Sequence, residues 1–164
     1  NYKPAVSILL SWLQRTKNPD VKEDIVRALS VKWAKPAAAV PLLREFRSAD
    51  VGRNPGLRWA IGNALEVVAD DSVFDDLVKL VTDKRFGRDR EMLAMALGKM
   101  KTPKAVTLLI ELLRDGDVAG HAIIALGKLR ARKARSAIEP FLEDPRGWVR
   151  KEARKALAKI DKAG

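Results

Sequence analysis

The chain has 164 residues, 32 Lys and Arg against 21 Asp and Glu, and a formal charge of +11. It has no cysteine and one histidine, His121, which excludes disulfides, zinc–thiolate sites, iron–sulfur clusters, thiol nucleophiles and any multi-histidine metal site. Aromatics at 5%, with 10 Gly and 8 Pro, argue against a β-sandwich and against low-complexity disorder.

In chain order, apolar residues recur at i+3 and i+4, as a buried helical stripe requires, and no segment alternates long enough to be a strand. Ten helices are predicted, alternating between two kinds, A and B. The first A helix covers about 4–15 and the first B helix about 20–33. The second pair covers about 36–48 and 56–69, and the third about 71–84 and 88–100. The fourth covers about 103–114 and 117–129, and the fifth about 133–143 and 147–161. Pro19, Pro36, Pro55, Pro103 and Pro145 lie at or just before helix starts, where a missing N–H costs little. Asn18, Asn54, Gly87, Asp115, Gly116, Asp117 and Asp144 mark the junctions. Pro41 and Pro140 fall inside A helices and are expected to kink them.

The two kinds follow from two interleaved series. ALGKM (96–100), ALGKL (125–129) and ALAKI (156–160) are copies of one unit. Looser copies place equivalent leucines at Leu29, Leu65, Leu97, Leu126 and Leu157, separated by 36, 32, 29 and 31 residues. A second series, at 5–6, 39–40, 73–74, 105–106 and 137–138, runs out of phase with it. One period shared by two series means two helices per repeat, and such pairs must stack to bury their apolar faces. Mid-helix glycine costs about 1 kcal/mol against alanine, so Gly62, Gly98, Gly120 and Gly127 imply close helix approach.

These B helices resemble the HEAT-like repeats of phycobilisome lyases, which read V-R-x-A-A-x-A-L-G-x-I after a turn carrying Asp-Pro. The V-R position holds Val21-Lys22, Leu57-Arg58, Asp89-Arg90, Val118-Ala119 and Val149-Arg150. Lys22, Ala119 and Asp89 depart from the pattern, and the first three units have a longer A-to-B connection. The resemblance covers nearly the whole chain. It implies an all-α, right-handed α-solenoid of about five antiparallel helix pairs, with residues 1–164 as one domain. It also implies that the B helices line the concave face.

Chemistry is sparse. A lone histidine makes a packed or surface His121 the favoured reading over a catalyst. No Gly-rich phosphate loop occurs, and no metal or cofactor is expected. Asp70, Asp71, Asp75 and Asp76 are read as capping the third A helix, at Asp71 or Ser72, in preference to binding a cation.

Residues 83–164 carry 20 basic and 11 acidic groups, whereas residues 1–82 carry 12 and 10. In register, the B helices form ladders: Lys22, Arg58, Arg90, Ala119, Arg150; Glu23, Trp59, Glu91, Gly120, Lys151; Arg27, Asn63, Met95, Ile124, Lys155; and Val31, Val67, Lys99, Lys128, Lys159. The first is read chiefly as a staple between repeats, with an anion-binding stripe as the alternative. Trp59, Met95 and Ile124 are either an apolar centre of the concave face or, one register step away, core. The last helix carries Arg150, Lys151, Arg154 and Lys155 and is read as a polar cap of the rod or as a contact for an anionic partner. The candidate partner-binding set is therefore Arg27, Arg58, Trp59, Arg90, Glu91, Met95, Lys99, Ile124, Lys128, Arg150, Lys151, Arg154 and Lys155.

The expected function is a non-enzymatic scaffold, monomeric and cytoplasmic, holding an acidic protein partner on its concave B-helix face. The alternative is sequence-independent nucleic-acid binding through the basic concave face and C-terminal helix, resembling HEAT-like DNA glycosylases, with Trp59 and Glu91 in their aromatic and acidic roles. No run of 18 apolar residues occurs, so no membrane partner is expected. Asn1-Tyr2-Lys3-Pro4 has no Met and no signal pattern, and the chain is expected to be part of a longer one.

Overall fold

Proline at the first helical position removes only an N–H that has no partner anyway. The helices α2 (Pro19–Leu29) and α7 (Pro103–Leu112) both begin on one in the computed structural model, which describes residues 4–162. Asn18 completes the first of these starts, its Oδ1 accepting from the Asp20 N–H at 2.9 Å. The other helices are α1 (Pro4–Arg15), α3 (Ala39–Ser48), α4 (Leu57–Val68), α5 (Phe74–Val81), α6 (Glu91–Leu97), α8 (Ala119–Lys128), α9 (Arg135–Ile138) and α10 (Gly147–Asp161). Odd numbers are the A helices and even numbers the B helices. The described residues contain no strand, and the fold class is all-α, of the stacked helix-pair kind found in α-solenoids.

The chain divides into two compact units, Asn1–Leu93 and Ala94–Gly164. In the first, α1 packs on α2 and α3 on α4, while α2 and α4 lie side by side. Its core holds Leu29, Leu42, Phe46, Ile61, Leu65, Leu77 and Leu80. In the second, α7 packs on α8, α10 packs on α9 and on the Glu139–Glu143 segment, and α8 lies beside α10. Its core holds Leu97, Leu109, Ile123, Leu126, Ile138, Val149 and Ile160. All five repeat leucines are buried, including Leu157. Cutting such a leucine back to alanine costs about 2–5 kcal/mol.

The repeated ALG motif has a direct packing explanation in the second unit. A Cβ placed on Gly98 would stand 2.7 Å from the Ala125 Cβ and 2.9 Å from its Cα. One placed on Gly127 would stand 2.8 Å from the Ala156 Cα. The glycine of each copy thus receives the alanine of the next. Ala158 fills the corresponding position in ALAKI and is exposed.

The two internal prolines behave differently from each other. Pro41 sits in the first turn of α3, where the backbone needs no N–H from it, so the expected kink has no cause there. Pro140 does break its helix: α9 has four residues, and Glu139–Glu143 continues as a 3-10 segment. The third B helix is also shorter than the sequence pattern suggests. Residues Lys84–Arg90 form two short 3-10 turns separated by a kink at Gly87, whose φ of +47° suits glycine, and α6 begins only at Glu91. At the end of α8, Arg130 takes a left-handed conformation (φ +50°). The Ala131 N–H then reaches the Leu126 carbonyl at 3.1 Å and the Arg130 N–H the Gly127 carbonyl at 3.3 Å, a Schellman cap.

Candidate functional site

The V-R arginines carry guanidinium groups that supply five donors in a rigid fork. In the first unit, Arg58 at the start of α4 spans the end of α3. Its Nε donates to the Phe46 carbonyl at 3.1 Å and its Nη2 to the Ala49 carbonyl at 3.0 Å. Nη1 reaches Asp89 Oδ2 at 3.0 Å, and the guanidinium lies 5.0 Å above the Phe86 ring. Arg90 repeats the arrangement one pair later. It is fully buried, and donates to the Val81 carbonyl at 3.0 Å and the Gly87 carbonyl at 2.8 Å. In the second unit, Arg150 donates to the Asp144 carbonyl at 2.7 Å and the Pro145 carbonyl at 3.0 Å. A cation at the carbonyl end of a helix also meets the negative end of its dipole.

Three members of the candidate set are therefore committed internally. Arg90 in particular is withdrawn from any partner surface by its burial. The departures from the family pattern fall into place too. Lys22, with one nitrogen, pairs with Glu45 on α3 instead of bridging carbonyls. Asp89, at a valine position, is the carboxylate that Arg58 needs.

The apolar candidates separate. Trp59 projects from α4 with 47% of its surface exposed, beside buried Leu57, Ala60 and Ile61. Met95 is core, flanked by buried Leu93, Ala94, Ala96 and Leu97 on a helix that is apolar nearly all round. Ile124 is half-buried on α8. Of the polar candidates, Arg27 is exposed and pairs with Glu23 one turn earlier, and half-buried Glu91 accepts from Arg88 Nε at 2.8 Å. Lys99 and Lys128 are exposed. On α10, Lys151, Arg154 and Lys155 are exposed at i, i+3 and i+4, one face of the helix. Lys155 pairs with Glu152 at 2.7 Å, whereas Lys151 and Arg154 have no ion pair among the described residues.

The carboxylates serve the turns. Asp70 caps the start of the third A segment, one residue before the expected position. Its Oδ1 accepts from the Ser72 N–H at 3.0 Å and the Ser72 hydroxyl at 2.6 Å, and both bonds hold its acidity above normal. No group of metal-ligating side chains forms among the described residues. Arg85 pulls the Asp83 pKa down to about 2, mainly by hydrogen bonding, and Arg146 lowers that of Asp144 in the same way. His121 lies against Trp148, ring centres 5.6 Å apart, and a Cβ on Gly120 would stand 2.1 Å from that indole. The glycine is there to admit the tryptophan.

Sequence reasoning missed Asn54 as more than a junction residue. Its Oδ1 accepts from the Gly56 N–H at 2.9 Å, and its Nδ2 donates to Asp20 at 2.9 Å and to Glu23 at 2.8 Å. This bond from Asn54 is the largest cause of the lowered pKa of Glu23, followed by Arg27. The signal was present as Asn54 next to Pro55, but its partners lie 31 and 34 residues away.

Comparison with known proteins agrees with this repeat geometry. The family profile described as HEAT repeats matches residues 48–119 and 114–164. No curated protein is significantly similar to the chain.

Proposed function

Because the chain belongs to the HEAT-repeat family, we propose that it is a non-enzymatic interaction module that binds a protein partner through exposed residues of its B helices. Trp59 is the observation that carries this reading. A half-exposed indole on an otherwise well-buried helix is the residue type that dominates binding energy at protein interfaces. In the first unit the surface comprises Trp59 with Arg27. In the second it comprises exposed Lys99, Lys128, Lys151, Arg154 and Lys155 together with half-buried Ile124.

The excess of cations makes the partner acidic. In this reading the protein acts as a monomer in the cytoplasm, and its ALGKL-type helices ally it with the phycobilisome-lyase kind of repeat. Among the described residues no helix is long and apolar enough to cross a membrane.

Affinity capture with wild type and Trp59→Glu, matched for melting temperature, tests the proposal. Proteins recovered by wild type are expected to be lost from the variant. Equal recovery by both would remove Trp59 from the interface. Retention of duplex DNA alone, falling steeply with salt, would replace the protein partner by nucleic acid.

A further inference from the structure

The second unit carries a cavity of about 440 Å³ between α7 and the segment that follows α8. That volume falls within the range of ligand sites, roughly 300–1,000 Å³. It lies where the chain runs from the end of α8 into the 3-10 turn Arg132–Ala134 that precedes α9. Pro103, Val106 and Ala131 give it apolar walls, and Lys104, Arg132 and Lys133 give it three cations, with no acid in the lining.

Those cations are exposed, and none has an ion pair among the described residues. Arg135, two residues further on, shows the contrast: it is held by Glu139 and, at 2.9 Å, by Asp161. The connection itself is fixed by the Schellman cap. Arg130 occupies its left-handed position, where glycine is usual and any other residue is strained by about 1 kcal/mol. From Lys128 to Arg135 the chain thus has five basic residues and no acid.

We propose that this cavity docks an acidic linear segment of a protein. One apolar side chain of the segment enters between Val106 and Ala131, and flanking carboxylates meet Lys104, Arg132 and Lys133. An apolar wall ringed by uncompensated cations is complementary to that pattern. A nucleic acid would leave the apolar wall unused and would find no aromatic in the lining to stack on. The site shares no residue with the Trp59 surface, so it stands or falls separately.

The test uses a fluorescein-labelled peptide, Glu-Asp-Glu-Leu-Asp-Glu, its Leu-to-Ser counterpart and labelled oligothymidylate, read by anisotropy at low salt. The leucine peptide is expected to bind wild type and Trp59→Glu equally. Affinity should fall about tenfold or more in Arg132→Glu/Lys133→Glu, and likewise for the serine peptide. Hydrogen exchange should slow at 103–107 and 131–133 when peptide is added. Absence of peptide binding, equal binding of the serine peptide, undiminished binding by the double variant, or tighter binding of oligothymidylate would each overturn the proposal. Should Arg132→Glu/Lys133→Glu melt early, Lys104→Glu on the far wall provides the same comparison.

Discussion

The two units join their repeats by different means. In the first, the junctions are polar and cationic: Arg58 bridges the end of α3, two phenyl rings and Asp89, and Asn54 ties its turn to Asp20 and Glu23. In the second, Arg146 reaches the Gly116 carbonyl at 2.8 Å, and helices meet besides through glycine against alanine, with Gly98 on Ala125 and Gly127 on Ala156. The charge follows. Residues 1–93 have 16 basic and 13 acidic groups, and residues 94–164 have 16 and 8. Of the second unit's cations, Lys104, Arg132, Lys133, Lys151 and Arg154 are exposed without an ion pair among the described residues, whereas Arg135, Arg146, Arg150 and Lys155 are engaged. Net charge alone does not reveal this. Arg58, Arg90 and Arg150 add to it and are all internally engaged.

If Arg58 is the main rivet of the first unit, its removal should be the most damaging change. Arg58→Ala strips hydrogen bonds from the Phe46 and Ala49 carbonyls and leaves Asp89 without its partner. The expected loss is about 3 kcal/mol, read by urea unfolding. Arg58→Lys should recover less than half, because one ammonium cannot span both carbonyls and the carboxylate. Full rescue by lysine would mean that charge, and not the fork, holds the junction.

Gly127→Ala tests the second unit. Helix propensity alone predicts a gain of up to about 1 kcal/mol. The contact with the Ala156 Cα, which is backbone and cannot swing away, predicts a net loss of about 2 kcal/mol. A thermal melt gives the sign. The same change at Gly116, around which a Cβ would meet nothing, lacks that contact and should be far milder. Similar effects at the two sites would break the contrast between backbone-closed and side-chain-closed junctions.

The helix pairs, their alternation and the buried leucines were legible because a 3.6-residue stripe repeating about every 32 residues has one economical explanation. The V-R arginines were readable as staples for the same reason: position in the repeat fixes what they can reach. Trp59, Met95 and Ile124 were not separable, since exposure on a B helix depends on the neighbouring pair and one register step exchanges surface for core. The broken fifth A segment was half legible. Pro140 announced a break, but the cavity beside α7 is lined by residues 131–133 and depends on how the turn after α8 packs. The cationic run 128–135 was not singled out in the sequence, and the partners of Arg135 come from Glu139 and from Asp161, 26 residues away.

Asn54 supplies the smallest and most specific test of the polar junction. In the folded protein Glu23 has a lowered pKa, with the Asn54 amide as its first cause. A depressed carboxylate contributes stability that is fully present above its ordinary value of 4.5 and is lost as pH falls through the lower folded value. Asn54→Ala removes both amide bonds to Asp20 and Glu23 and should cost about 1 kcal/mol at neutral pH. Part of that penalty should vanish below the folded pKa, where wild-type Glu23 is protonated and gains little from the amide. Chemical-shift titration should show Glu23 moving up toward 4.5 in the variant while Asp144, held by Arg146 in the other unit, stays lowered. A Glu23 titration unchanged by Asn54→Ala would give the shift to Arg27 and make the turn-to-turn tie incidental to the first unit's stability.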